Sequence, residues 1–263
     1  MGAPGHDIFA ARPGGPAESI GRSFGAQRPL LAGMIVWAVA LLVLGAAIVG
    51  LGLLLSEILL PAGLGDADAS WSRWFVPERT QTLNDVTRVW SELGATPVIL
   101  AICAVVGVAL AIGRRWRQLA FLACAMTLEF VVFLTTTMIV GRHRPSVPQL
   151  DAAPPTSSFP SGHTAAALTL YLGLAVVLGS LIRGTWARAL VWVVALLVPI
   201  LVAVSRVYRG MHFPTDVTAS ALLSVGALVF ALLAVRTMTA ARAERARRTA
   251  PAQPVETRPE VTS

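Results

Sequence analysis

Lysine is missing from this chain altogether. All 21 basic residues among its 263 are arginine, set against 14 acids for a net charge of +7. Every strong cation is therefore a planar guanidinium that stays charged. Charge of either sign is scarce. Only 13% of residues are charged and 55% are hydrophobic, where a soluble domain carries about 25% charged residues. That excludes an ordinary soluble domain. Cysteine is nearly absent too. Cys103 and Cys124 both fall inside apolar runs, which excludes a disulfide framework, and no metal-ligand spacing surrounds them. Much of the arginine lies in short loops and the tail. The basicity therefore reflects membrane topology rather than nucleic-acid binding.

What the chain does have is long apolar runs. Several reach the roughly 20 residues needed to cross a bilayer. The expected fold is all-α, a polytopic membrane protein with a six-transmembrane-helix bundle. The spans fall near residues 29–60, 96–113, 119–140, 161–182, 189–205 and 214–235. The Gly-, Pro- and Ala-rich residues 1–29 read as a disordered head. The tail 236–263, Arg-rich and then Pro- and Thr-rich, reads the same way. The membrane domain is 30–235, with a catalytic core near 93–235. Trp71, Trp74 and Trp90 lie in a polar stretch, 61–94, and suit a membrane–water interface. Six spans bring both termini to one side, together with 14 of the 21 arginines. The positive-inside rule makes that side cytoplasmic and turns the loops after the third and fifth spans outward.

Those two outer loops concentrate the chemistry. The first holds Arg142, His143, Arg144 and the turn Pro160-Ser161-Gly162-His163. There a loop becomes the first turn of a helix, whose free N–H groups and dipole favour phosphate. The second holds Ser205, Arg206, Tyr208, Arg209, His212 and Asp216, so three of the four histidines lie in these loops. Arginine forks suit phosphate oxygens. Two histidines suit the nucleophile and the acid of a phosphoryl transfer. Asp216 falls on the first turn of a helix begun by Pro214. From there it can reach back to hold one nitrogen of His212.

These residues resemble the type-2 phosphatidic acid phosphatase superfamily. Pro160-Ser161-Gly162-His163 is one block of its pattern. Ser205-Arg206, five residues, His212, three residues, Asp216 is another, complete in type and spacing. A further block, lysine, six residues and Arg-Pro, keeps Arg144-Pro145 but has Thr137 where the lysine belongs. The resemblance covers about residues 93–235. It implies that His212 is a nucleophile forming a phosphohistidine and that Asp216 orients it. It implies that His163 protonates the leaving oxygen and then activates water. Arg144 and Arg206 would clamp the phosphate, with Ser161 and Gly162 as donors.

The resemblance implies no metal and no other cofactor. It implies a lipid phosphate substrate taken from the membrane lipid, of phosphatidate, phosphatidylglycerophosphate or undecaprenyl pyrophosphate type, and no nucleic acid. Two other functions use the same residues. One is a phosphotransferase, with a hydroxyl acceptor in place of water. The other is a non-catalytic lipid-phosphate binder, which would have no use for the two histidines and Asp216. Arg142 and Arg209 are the candidates to supply the charge that Thr137 lacks. Glu129 lies midway along the third span, where an acid is expensive. It is expected to make a structural hydrogen bond inside the bundle.

Overall fold

A computed structural model describes residues 7–24 and 28–250. These are helical, with no strand among them: α1 (Pro16–Phe24), α2 (Pro29–Leu54), α3 (Gly65–Trp74), α4 (Gln81–Glu92), α5 (Thr96–Ile112), α6 (Trp116–Val140), α7 (Gly162–Leu181), α8 (Thr185–Tyr208) and α9 (Pro214–Thr249). Only helices and closed barrels satisfy their own backbone in a bilayer. Five stretches are long and apolar enough to cross one, and α4 with α5, bent by 42° at a short break, makes a sixth. Leu42, Val105 and Met138 are each more than 70% exposed on the outside of the bundle. In lipid that exposure costs nothing. In water it would be a large apolar patch. This is a multi-pass membrane protein.

The bundle closes on α9. Ala219, Leu223 and Ala227 recur every fourth position along it and share one buried cluster with Ala40, Leu44 and Ile48 of α2. Small side chains let helix backbones approach closely where no hydrophobic effect drives them together. At Gly226 a Cβ would fall 2.6 Å from Leu44. Two serines tie α9 to α7. Ser220 Oγ donates to the Ser161 carbonyl, and Ser224 Oγ to the Ala165 carbonyl, both at 2.9 Å.

The first span departs from expectation at its far end. Past Leu54 the helix widens into a π-type segment, Leu55–Leu64, that contains Pro61 and a Gly63 with φ +111°. Proline removes a donor and crowds the preceding turn, and glycine accepts the positive φ. The chain turns, and α3 packs back against the start of α9. Asp68 and Ser72 are thereby buried, though they lie in a stretch read as a polar loop.

The head and tail also differ from the sequence reading. Residues 7–24 are ordered against the bundle. Phe9 is fully buried, 5.5 Å from Phe121, and Asp7 pairs with Arg117 at 2.7 Å. A Cβ on Gly21 of α1 would fall 2.7 Å from Ala240, so α1 lies directly on α9. The tail to Thr249 continues α9, and residues 251–263 lie outside the described ones. Patterning misled here because a short helix takes its stability from the surface it docks on, whatever its composition. At this end Trp116 and Trp186 are exposed. At the opposite end Trp71 and Trp74 are exposed and stack edge to face. Two aromatic belts bracket the apolar zone, as amphipathic rings prefer.

Ser224→Ala should lower stability by about 1 kcal/mol, read as a fall in Tm in detergent. An unchanged Tm would mean that the hydroxyl contributes no net interhelical attachment.

Candidate active site

The C-terminal ends of α6 and α8 and the N-terminal ends of α7 and α9 meet at one end of the bundle. His163 is in the first turn of α7, Arg206 in the last turn of α8 and Asp216 in the first turn of α9. Arg144 comes from the loop 141–161, and His212 from the five-residue link 209–213. That link is tight because Gly210 has φ +73°, and a Cβ there would fall 2.9 Å from Val147. The Asp216 carboxylate accepts the Phe213 N–H at 2.9 Å, closing the start of α9.

A cavity of about 720 Å³ opens among these ends. His163, His212, Arg144, Arg206 and Gly162 line its polar part. It continues between α5, α6 and α7 along apolar side chains such as Ile99, Leu100 and Phe130. Arg144 and Arg206 each keep a buried Nε with no hydrogen-bond partner. Orphaned guanidinium donors are costly, and an anion in the cavity would satisfy them.

His212 is fixed by a backbone group. Its Nδ1 lies 2.7 Å from the Ser158 carbonyl. A carbonyl only accepts, so Nδ1 carries the proton and Nε2 keeps its lone pair. Arg144 Nη1 stands 3.5 Å from that Nε2 and donates to the Met211 carbonyl at 2.8 Å. Burial pushes the His212 pKa below its ordinary value, against the opposing pull of Asp216. Desolvation disfavours the imidazolium. His212 is therefore neutral, with a free nitrogen, at neutral pH.

Several sequence expectations meet different geometry. Asp216 was expected to hold His212 directly. Its Oδ2 stands 3.8 Å from Nδ1, and the orienting hydrogen bond is supplied by Ser158. Asp216 stands one step back, where its negative charge opposes the effect of burial on His212. Ser161 was expected to offer its hydroxyl to phosphate, but that hydroxyl is buried 3.0 Å from Thr164 Oγ1. Gly162 was expected to admit a ligand. It does line the cavity, while on the side where a Cβ would point the Phe133 ring lies 2.7 Å away.

The proposed substitutes for the absent lysine also lie elsewhere. Arg142 is buried between Asp68, at 2.7 Å, and Asp216, at 2.5 Å, with its guanidinium 4.3 Å from the Phe213 ring centre. It is no part of the cavity wall. Thr215 Oγ1 donates to Asp68 and completes this cluster. Arg209 is held by Asp151 at 2.5 Å, and Asp151 also takes Arg206 at 2.8 Å. Burial raises the Asp151 pKa, but the hydrogen bonds and charges of Arg209 and Arg206 outweigh it, so the net shift is downward. Thr137 turns its hydroxyl to the Leu134 carbonyl at 2.9 Å.

The cation that sequence reasoning missed is Arg88, on the cavity wall from α4. It falls outside every motif. Asp68 was missed for the same reason. Among the described residues, no three of His, Cys, Asp and Glu are grouped to hold a metal ion.

The PAP2 superfamily pattern matches residues 118–240. Phosphatidylglycerophosphatase B of Bacillus subtilis (strain 168) is 31% identical over 180 residues, covering 64% of this chain and 81% of its own length. The chain belongs to the PAP2 superfamily. The crystal structure of a transmembrane PAP2-type phosphatidylglycerolphosphate phosphatase from Bacillus subtilis superposes with a TM-score of 0.60 at 26% identity. It covers 76% of this chain and 92% of that one. Aquifex aeolicus LpxE shares the fold, with a TM-score of 0.50 at 24% identity over 63% of this chain and 94% of its own. As a PAP2 member the protein is a membrane phosphatase. The PAP2 pattern begins well after Asp68, so the partner that Asp68 provides for Arg142 comes from outside it.

Arg142→Ala would leave two buried carboxylates without their cation. It should cost about 3–5 kcal/mol of stability, seen as a large fall in Tm. Arg144→Ala should leave Tm nearly unchanged and still lower phosphate release. Equal Tm losses would return Arg142 and Arg144 to a common role.

Proposed function

We propose that this PAP2 protein hydrolyses a phosphomonoester or diphosphate lipid through a phosphohistidine. The observation that carries the proposal is the shape of one cavity. Its polar part is lined by two histidines and two arginines with unsatisfied donors, and it continues into an apolar wall. A phosphate on a lipid tail matches both parts.

The chemistry is an in-line displacement. His212 Nε2 attacks phosphorus as the bond to the lipid oxygen breaks, and His163 gives that oxygen a proton. His163 then takes a proton from water, which attacks the phosphohistidine. Inorganic phosphate leaves, and both imidazoles return to their starting states. Arg144 and Arg206 neutralise charge on the phosphoryl oxygens throughout. Positioning and electrostatics supply most of such a rate enhancement. The N–H groups of the first turn of α7 add donors at its positive end.

The arginine distribution sets the orientation we infer. The end bearing α1, the last turns of α9, Arg114, Arg115, Arg183 and Arg188 is cytoplasmic. The cavity then opens at the outer membrane–water interface. We infer further that catalysis needs no metal, since arginines already supply the positive charge that a cation would bring.

The test is phosphate release by purified protein in detergent with excess EDTA. Phosphatidate, phosphatidylglycerophosphate, undecaprenyl pyrophosphate and a soluble ester would be compared, with His212→Ala alongside. Release from a lipid, lost in the variant, is the expected result. Lipid binding without release would favour the binder, and release only when a hydroxyl acceptor is added would favour the transferase.

The pH profile gives a second check. The lowered pKa of His212 keeps the nucleophile available above that pKa and removes it as pH falls through it. The acid limb of kcat/KM should therefore lie below the ordinary imidazole value of about 6.5. An acid limb above that value would count against His212 as the neutral attacking base.

A further inference from the structure

We propose that Glu129 selects the lipid: its carboxyl reads a hydrogen-bonding group on the substrate about one helical turn below the phosphate, where a glycerophospholipid carries its acyl esters. The inference rests on the lipid-phosphatase reading above and concerns the same cavity.

Glu129 was expected to make a structural hydrogen bond in the bundle. It is 3% exposed, yet its carboxyl enters none of the ion pairs or side-chain hydrogen bonds among the described residues. It lines the same cavity as His163, His212, Arg144 and Arg206. Its neighbours along that wall are mostly apolar, Met126 and Phe130 on its own helix and Leu100 and Cys103 on α5, and the Thr127 hydroxyl on the same helix donates to the Ala123 carbonyl at 2.8 Å. A lone carboxyl in such a wall is expensive and is usually functional or paired. Here no protein partner is present, and the cavity is the direction left open to it.

The depth fits an ester. Glu129 and Phe133 lie four residues apart on α6, on one face and about 6 Å apart along the axis. The Phe133 ring packs against Gly162, the residue before His163. Since α6 runs toward the catalytic end, Glu129 sits roughly one turn deeper than the phosphate-binding turn. In a diacyl phosphatidate the ester oxygens follow the phosphate within a few bonds. At the same depth a polyprenyl phosphate offers only hydrocarbon. A carboxyl accepts from a hydroxyl or an amide and, when it carries its proton, donates to an ester carbonyl. A site built to hydrogen-bond a substrate rejects the analogue lacking that group far better than an apolar pocket can.

The experiment measures kcat/KM in detergent micelles for diacyl phosphatidate, its dialkyl ether analogue and undecaprenyl phosphate. The wild type, Glu129→Gln and Glu129→Leu are compared. The wild type should prefer diacyl over dialkyl by about tenfold or more. Glu129→Leu should bring that ratio close to one while keeping or raising turnover of undecaprenyl phosphate. Glu129→Gln, which still donates and accepts, should keep most of the preference.

Tm separates this from a structural role. Removing an unpartnered buried acid should leave Tm unchanged or raise it, whereas loss of a bundle hydrogen bond would lower it. A wild-type ratio near one, a ratio unchanged in Glu129→Leu, or a clear fall in Tm for that variant overturns the proposal. No release by the wild type from these three lipids, nor from phosphatidylglycerophosphate or undecaprenyl pyrophosphate, overturns the phosphatase reading instead, and this inference with it.

Discussion

Arg142 is held between two carboxylates from distant parts of the chain. Asp68 reaches it from α3, just beyond the first span, and Asp216 from the start of the last. All three are buried at the end of an apolar bundle, where a single unpaired charge would cost several kcal/mol. Each charge is therefore tolerable only while the others are in place. This cluster joins α3 to α9 and fixes the first turn of α9. The link that carries His212 ends at that turn. Replacing the cluster with apolar side chains need not reduce stability. What it gives instead is one position for Asp216.

A second ionic cluster supports the other wall of the cavity. Asp151 bridges Arg206 and Arg209, and Arg206 also bonds Ser91 on α4 at 2.7 Å. Arg79 reaches the Tyr208 carbonyl, and Tyr171 reaches the Leu93 carbonyl. These contacts seat the bent α4–α5 pair over the active site. At the bend, a Cβ on Gly94 would fall 2.8 Å from the His163 carbonyl oxygen. The bend and His163 therefore touch through backbone. Arginine is thus used in two ways. Arg142 and Arg209 are neutralised by carboxylates and serve as framework. Arg206 shares Asp151 with Arg209, yet it and Arg144 each keep an Nε without a partner beside the histidines.

Much of this was legible in the sequence because it depends on local pattern. Apolar length announces spans whatever their neighbours. The separations of Ser205, Arg206, His212 and Asp216 lie within one helix end, one short link and one helix start, so spacing carries the geometry. What was not legible depends on long-range packing. Asp68 lies 148 residues before Asp216 in the numbering, and nothing around it marks it as buried. The Ser158 carbonyl leaves no trace in side-chain patterning, since every residue has one. Phe9 and α1 were read as disorder because a short helix draws its stability from the surface it docks on rather than from its own composition.

By itself the sequence determined an all-helical membrane bundle and a cluster of histidines and arginines at one end of it. Bilayer thickness and helix periodicity leave few other outcomes for such runs. Tertiary structure alone decided the use of each polar group. Four arginines near one site look alike in sequence. Which of them keeps donors for an anion depends on how many are already taken, and the carboxylates that take them, Asp68, Asp216 and Asp151, arrive from other helices and from the loop 141–161. The same holds for Glu129. Its expense in a membrane could be read from one letter, but its lack of a partner could be seen only once every neighbouring helix was in place.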